Sequence, residues 1–284
     1  MPNLRDIKRK IKSIKSTQKI TGAMKMVSAA KLKKSQERME AAKPYALKIK
    51  DLARNISKRV NPEAHPFIEK KKDVKSICVL AIASDRGLCG AFNSNVLKKT
   101  LQFIDMHKDK EVKVVCVGKS LYFALRRRKV NIIKEYITLL GHVTYDDAVT
   151  MGNHIMDQFL ESNVDEIYII SNEFKSVIYH VPEVIKVLPV SKDVSNESYV
   201  DYLYEPSADI LLKEIMPRYL NFIIYSKLLQ SVAGEHGARM AAMDNATRNA
   251  GEMIDRFLLQ YNKVRQSSIT KEILDIVNGA EALR

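Results

Sequence analysis

Ser76-Ile77-Cys78-Val79-Leu80-Ala81-Ile82-Ala83 is the run that decides the fold. It is continuously apolar, with no polar alternation, as expected of a strand buried on both faces in a parallel sheet. Downstream, the pattern predicts a helix over about 92–106, a strand at Val112–Val117, a helix at 119–128 and a short strand near 131–136. A helix over 145–162 and a strand at Glu166–Ile170 follow, and Ser176–Val190 adds one or two further strands. Strands alternating with helices indicate a doubly wound α/β domain.

Upstream of the run, Asn61-Pro62 and His65-Pro66 mark a linker. Before it, Asn3 to Lys43 contains a single glycine and no proline. Asn3 caps a helix there, with Asp6 near the positive end of its dipole. Leu4, Ile7, Ile11 and Ile14 form one apolar seam, with Lys8, Lys10, Lys12 and Lys15 off it. Further on, the seam thins to Ile20, Met24, Val27 and Leu32. Such a helix runs roughly 60 Å to Lys43, and further if Pro44 only kinks it. Its stripe is too narrow for the core of a globule and calls for one partner helix.

The last third mirrors the first. Pro206-Ser207 reads as a helix start, and Pro217 is expected to kink or restart the helix. Ala250, Ile254, Phe257, Tyr261 and Val264 step by four, three, four and three, the spacing of a two-stranded seam. Arg218 to Arg284 would span roughly 100 Å as one helix. The two seamed helices pair most simply as an antiparallel coiled coil, with the α/β domain at its side. The expected boundaries are 1–60 for the N-terminal helix, 61–206 for the α/β domain and 207–284 for the C-terminal helix.

Charge is distributed unevenly. Met1 to Val60 holds 18 Lys and Arg against 4 Asp and Glu, a net of +14, and the other 224 of 284 residues carry 29 of each sign. A basic end on a neutral chain points at something acidic: nucleic acid, an anionic membrane surface or an acidic protein. Nucleic-acid grooves interleave aromatics with their cations, and this segment has one, Tyr45. No run approaches eighteen uncharged apolar residues, and the start lacks the apolar core of a secretory signal. A bacterial cytoplasmic origin fits. The three cysteines, Cys78, Cys89 and Cys116, read as small core residues in a reducing compartment.

Catalytic patterns are sparse. Ser84-Asp85-Arg86-Gly87-Leu88-Cys89-Gly90 follows the first strand, where α/β sheets bind ligands. It has neither GxGxxG nor GK[ST], so a structural strand-to-helix turn is the better reading. Asp146, Asp147 and Glu161 read as a helix start or as solvated surface, and His236 has no second His at metal spacing. No Ser/His/Asp or Cys/His arrangement stands out, and neither a cofactor nor a metal site is expected. A small enzyme using the α/β domain would need a phosphate loop after Ala83. A basic coiled-coil protein binding nucleic acid or a membrane surface would explain the charge, but not the apolar C-terminal tip.

Several segments are similar to the gamma subunit of F-type ATP synthases. The most specific is Ile269-Thr270-Lys271-Glu272-Ile273-Leu274-Asp275-Ile276-Val277-Asn278-Gly279-Ala280-Glu281-Ala282. It fits that family's pattern I-T-x-E-x-x-D-x-x-x-G-A. Ile14 to Lys31, Ser84 to Asn93, Arg239 to Met243 and Tyr261 to Gln266 also match. The resemblance implies a long antiparallel coiled coil of N- and C-terminal helices plus a Rossmann-like doubly wound α/β domain.

It further implies the central rotor shaft of a proton-translocating ATP synthase, peripheral to the cytoplasmic face of the bacterial plasma membrane. The partners would be three alpha and three beta subunits, the epsilon subunit and the c-subunit ring. Acidic lever loops of beta would meet the basic shaft, and Arg265, Gln266 and Arg239 would contact beta. Ile269, Ile273, Leu274, Ile276, Val277 and Leu283 would enter an apolar sleeve at the top of the hexamer. Tyr202, Tyr204 and Glu205 would form a foot near the c ring and epsilon. Chloroplast-type relatives carry a cysteine-bearing regulatory insert that is not visible here. Dithiol reduction of the assembled enzyme is therefore expected to leave its ATPase rate unchanged.

Overall fold

The computed structural model describes residues 3–59, 67–68, 73–161, 163–176, 179–190 and 208–281. The expected linker prolines, the helix start at Pro206-Ser207, Tyr202, Tyr204, Glu205 and Leu283 lie outside them. The chain packs as two compact units, residues 1–28 with 240–284 and residues 29–239. Helix α1 (Leu4–Arg59) and helix α5 (Ala208–Glu281) each contribute to both.

The second unit is built on β1 (Ser76–Ile82), the predicted buried strand, in which every residue after Ser76 is fully buried. Around it lie α2 (Phe92–Met106), β2 (Glu111–Val117), α3 (Lys119–Arg126), β3 (Ile132–Tyr136), α4 (Tyr145–Leu160), β4 (Glu166–Phe174) and β5 (His180–Leu188). The five-stranded sheet has the order β3-β2-β1-β4-β5. Its first four strands are parallel, and β5 pairs antiparallel with β4. Antiparallel pairing with β5 carries β4 past the predicted Ile170 to Phe174. One strand, not two, occupies the Ser176–Val190 segment among the described residues. Pro182 lies in β5, and a strand at the edge of a sheet tolerates its missing N–H.

Successive side chains of a strand face opposite ways, and both faces of β1 are covered. Cys78, Leu80 and Ile82 face a core shared with Ile49 and Ile56 of α1, Met151 and Ile155 of α4, and Leu220 and Leu228 of α5. Ile77, Val79 and Ala81 face a second core with Val96 and Phe103 of α2 and Leu121 and Leu125 of α3. This double cover is why β1 needs no polar position. Burial pushes the thiol of Cys78 up to about 12, and Cys116 likewise. All three cysteines are free and buried.

The first unit is a two-helix pair. Lys10 lies near the ring of Phe257, Thr21 bonds Thr247 and Lys25 bonds Asp244. Numbers rise on one helix as they fall on the other, so the pair is antiparallel. On α5, Met243, Ala250 and Ile254 are buried, and Phe257, Tyr261 and Val264 are half-buried. On α1, Ile7 and Ile11 are buried and Ile14 is half-buried.

Beyond Ile14 the predicted seam holds at the half-buried Met24 and the buried Leu32 and is corrected at two positions. Ile20 and Val27 are exposed, while Thr21 and Ser28 are buried. The seam keeps a seven-residue period, Ile7, Ile14, Thr21 and Ser28, and geometry overrides hydropathy along it. At its centre Thr21 and Thr247 share a hydroxyl hydrogen bond of 2.8 Å.

A second finding concerns Pro217, expected to kink or restart the helix: it does not restart it. Helix α5 runs through it unbroken, as α1 runs through Pro44. Met216 and Leu220, both fully buried, hold the helix on the sheet across the lost hydrogen bond. Ile155→Ala should lower stability by roughly 2–5 kcal/mol, because it opens a cavity in the larger core. Ile269→Ala, on an exposed turn, should shift it by about 0.5 kcal/mol or less. Urea midpoints of the isolated chain check both.

Candidate functional site

The loop after β1 sits at the C-terminal edge of the parallel strands, where an open α/β sheet takes its ligand. Here the protein's own groups converge on that edge. Asp85 accepts from the backbone N–H of Lys119 at 2.9 Å, of Thr138 at 3.0 Å and of Leu140 at 3.3 Å. One carboxylate thus ties the loop after β1 to those after β2 and β3. Ser84 is fully buried, and its Oγ and N–H both donate to Asn93 Oδ1, at 2.8 and 2.9 Å. Gly118, between β2 and α3, has φ +102° and would place a Cβ 2.3 Å from the Ala83 carbonyl oxygen. Only glycine fits that crossing.

Arg239 of α5 completes the edge. It is buried, pairs with Glu235 at 2.7 Å one turn earlier, and donates to the carbonyls of Arg86 and Gly87 at 3.2–3.4 Å. The resemblance casts it as a contact to beta; within this chain its guanidinium also fixes the loop that presents Arg86 and Leu88 to solvent. Leu88 adopts φ 61°, a strained conformation for a branched side chain. Burial holds the Glu235 carboxyl above the usual range, with Asp85 adding to the effect and Arg239 opposing it. Burial, then Arg239 and Lys31, push His236 down to about 4, so it is neutral at pH 7.

Other candidates resolve structurally. Asp147 forms a reciprocal capping box with Thr144 at the start of α4, and Asp146 lies in the same first turn. Glu161 caps the other end of α4. Among the described residues no group of His, Cys, Asp and Glu could hold a metal ion, and no helix is long and apolar enough to cross a membrane.

The first unit carries the remaining candidates. Arg265 and Gln266 are exposed, next to the half-buried seam residue Val264. Ile269, Ile273, Leu274, Ile276 and Val277 are each about half exposed or more. At about 100° per residue they fall within one arc of roughly 160° on the last turns of α5, beyond the seam, with Lys271, Glu272, Asp275 and Asn278 on the other side. Lys8, Lys12, Lys15 and Lys19 are exposed off the α1 seam. Two ties escaped the sequence reading, Asp85 and the Lys25–Asp244 pair at 2.6 Å. Their partners lie 34 to 55 and 219 residues away, so no local pattern announces them.

The ATP synthase family pattern matches residues 3–283. A protein named ATP synthase gamma chain from Syntrophus aciditrophicus is 41% identical over all of this chain and 99% of its own length. One of the same name from Pelotomaculum thermopropionicum is 41% identical over the whole of both. Among solved structures, a chain of the Euglena gracilis mitochondrial ATP synthase covers 99% of this chain and 94% of its own, with TM-score 0.71 at 17% identity. A chain from the central stalk and c ring of the Tetrahymena thermophila enzyme covers 80% of this chain and 99% of its own, with TM-score 0.63 at 24% identity. These two likenesses concern the fold.

Arg239→Ala should cost roughly 3–5 kcal/mol at pH 7, because it leaves Glu235 buried without its cation. The folded-state pKa of Glu235, already raised, rises further in the variant. A carboxyl of that kind regains stability as pH falls through its folded pKa. The gap to the parent should therefore narrow between pH 7 and 5 in urea titrations. A gap that widens toward acid would contradict the assignment.

Proposed function

We infer the role of this chain from its kinship: it belongs to the ATP synthase gamma-chain family, and it acts as the central rotor shaft of an F-type ATP synthase. It is a non-catalytic subunit. The helical pair turns inside the ring of three alpha and three beta subunits, and the α/β unit meets the c ring and epsilon. The complex works at the cytoplasmic face of the bacterial plasma membrane, which this chain meets peripherally.

The observation that carries this reading is the exposed apolar end of α5. Five large aliphatic side chains between Ile269 and Val277 are left in water by a helix whose seam has already ended. A helix end with one broad apolar face left in water is stable against a matching apolar surface, such as the wall of a sleeve. The exposed cations along α1 suit acidic loops of beta, and they are strengthened where the ring excludes water. Arg265 and Gln266, exposed one turn before the apolar end, are assigned to beta at the entrance to that sleeve. Tyr202, Tyr204 and Glu205 are assigned to the foot.

The mechanism follows from symmetry. An asymmetric two-helix shaft shows each of three equivalent sites a different face. Each site therefore experiences a different contact free energy and adopts a different conformation. Shifting one site from 1:99 to 99:1 takes a differential of about 5.5 kcal/mol. Distributed over many exposed contacts, this makes single substitutions on the shaft mild. Rotation driven at the foot then cycles each site in turn.

The test is co-expression with candidate alpha and beta subunits, purification, and ATPase assay with and without residues 265–284. A complex holding one copy of this chain per three beta subunits is expected, with coupling weakened by the truncation. Failure to assemble, together with steep salt-dependent binding to random DNA or anionic vesicles, would favour the basic-binder reading.

A further inference from the structure

Helix α3 ends in four consecutive cations, Arg126, Arg127, Arg128 and Lys129. All four are exposed, and none meets a carboxylate at ion-pair distance among the described residues. One cation in a last turn suits the negative end of a helix. Four within about one turn exceed that need. The end that carries them is well held. Lys129 takes φ 56°, and its N–H and that of Val130 donate back to the carbonyls of Arg126 and Leu125 at 3.1 and 3.3 Å. Arg128 Nη1 donates to the Ala124 carbonyl at 3.2 Å. The cations therefore project from a finished helix end and not from a fraying one. Phe123, 47% exposed, precedes Arg126 and Arg127 by three and four residues, so the three share one face. The opposite face puts Leu121 and Leu125 into the core.

The topology sets where this face lies. Helix α3 joins two parallel strands, β2 and β3, so it runs back toward the N-terminal side of the sheet. Helix α5 begins on that same side. Gly234 packs against His180 at the start of β5, and Lys227 pairs with Glu183 further along it. Helix α5 thus runs against β5, which itself runs against the parallel strands. Ala208 accordingly starts on the N-terminal side, and Arg239 reaches the C-terminal side. Tyr202, Tyr204 and Glu205, assigned to the foot, precede Ala208 directly in sequence. Strand β3 is the outermost on its flank, four spacings or roughly 19 Å from β5. The cations stand at that outer flank, on the foot side.

We propose that this corner of the α/β unit is a docking surface for anionic phospholipid headgroups, with Phe123 entering the interface between them. The proposal rests on the shaft reading, which turns the foot side of the unit toward the bilayer. Charge complementarity selects an anionic surface. Rotation selects lipid over a stationary subunit. A specific contact to a fixed protein would break at every turn, whereas headgroups are equivalent all round the axis and diffuse laterally. One exposed aromatic ring is too few to stack successive bases, which disfavours nucleic acid.

Asn131→Cys gives an exposed labelling site beside the cations, and the three native cysteines are buried. Asp146→Cys, exposed at the start of α4 on the C-terminal side, is the control. Each carries a fluorophore in the complete enzyme, reconstituted into vesicles that contain a headgroup-linked spin-label quencher. At Asn131→Cys, quenching about threefold stronger is expected with equal parts phosphatidylglycerol and phosphatidylcholine than with phosphatidylcholine alone. It should fall to the phosphatidylcholine level as salt rises from about 0.1 to 1 M, which shortens the screening length from about 10 to 3 Å. Arg126→Gln, Arg127→Gln, Arg128→Gln and Lys129→Gln together should have the same effect at low salt. The label at Asp146→Cys should not distinguish the two lipids. Equal quenching in both lipids at Asn131→Cys, in an enzyme that assembles and hydrolyses ATP, overturns the lipid surface alone. So does a photocrosslink from that position to epsilon or the c ring, or binding of random RNA that the four substitutions abolish. A chain that does not co-purify with alpha and beta overturns the shaft reading, and this proposal with it.

Discussion

A helix with an apolar stripe only one or two residues wide cannot bury that stripe against a sheet without leaving its charged flanks in a core. It can bury it against one other helix of the same kind. Helices α1 and α5 meet this constraint by packing together in the first unit, and from their pairing follow the exposure of the α1 cations and the exclusion of Ile20 and Val27 from the seam. The same two helices contribute broader faces, around Ile56 and Leu220, to the core of the second unit. Each helix thus changes the width of its apolar face along its length: α5 narrows near Arg239, where the two compact units divide, and α1 broadens around Ile49.

Much of this was legible before any coordinates. The unbroken apolar run at Ser76–Ala83 announced a doubly covered strand, because no polar residue interrupts it. The four-three spacing from Ala250 to Val264 announced a two-stranded seam. Reading failed where polarity and position disagreed. Thr21 and Ser28 look like surface residues and lie on the seam, a fact carried by their seven-residue spacing from Ile7 and not by their hydropathy. Pro217 looks like a break and is overridden by buried neighbours whose burial depends on distant sheet residues.

The candidate sites divided along the same line. The exposed aliphatic set from Ile269 could be picked from the sequence because an apolar end without a local partner is itself a signal, whereas Arg265 was singled out only through the family resemblance. Residues whose role is to hold other parts of the chain could not. Asp85 ties three loops and Arg239 holds the Arg86 and Gly87 carbonyls of the first of them, and each does so through groups remote in sequence. Arg239 also illustrates how a match to a pattern fixes identity without fixing environment.

The separation of Thr21 from Thr247, 226 residues, bears on how the chain acquires its structure. The strands of the sheet follow one another closely, so their loops close early and at little entropic cost. The helical pair closes the longest loop in the molecule, and it cannot form until the segment around Met243 and Ile254 has been synthesised. The N-terminal stripe of α1 therefore has no helical partner until that part of α5 exists. The density of lysines beside that stripe keeps a half-made chain from associating with its neighbours on the polysome. The charge that serves the finished shaft first serves as the chain's own solubilising agent.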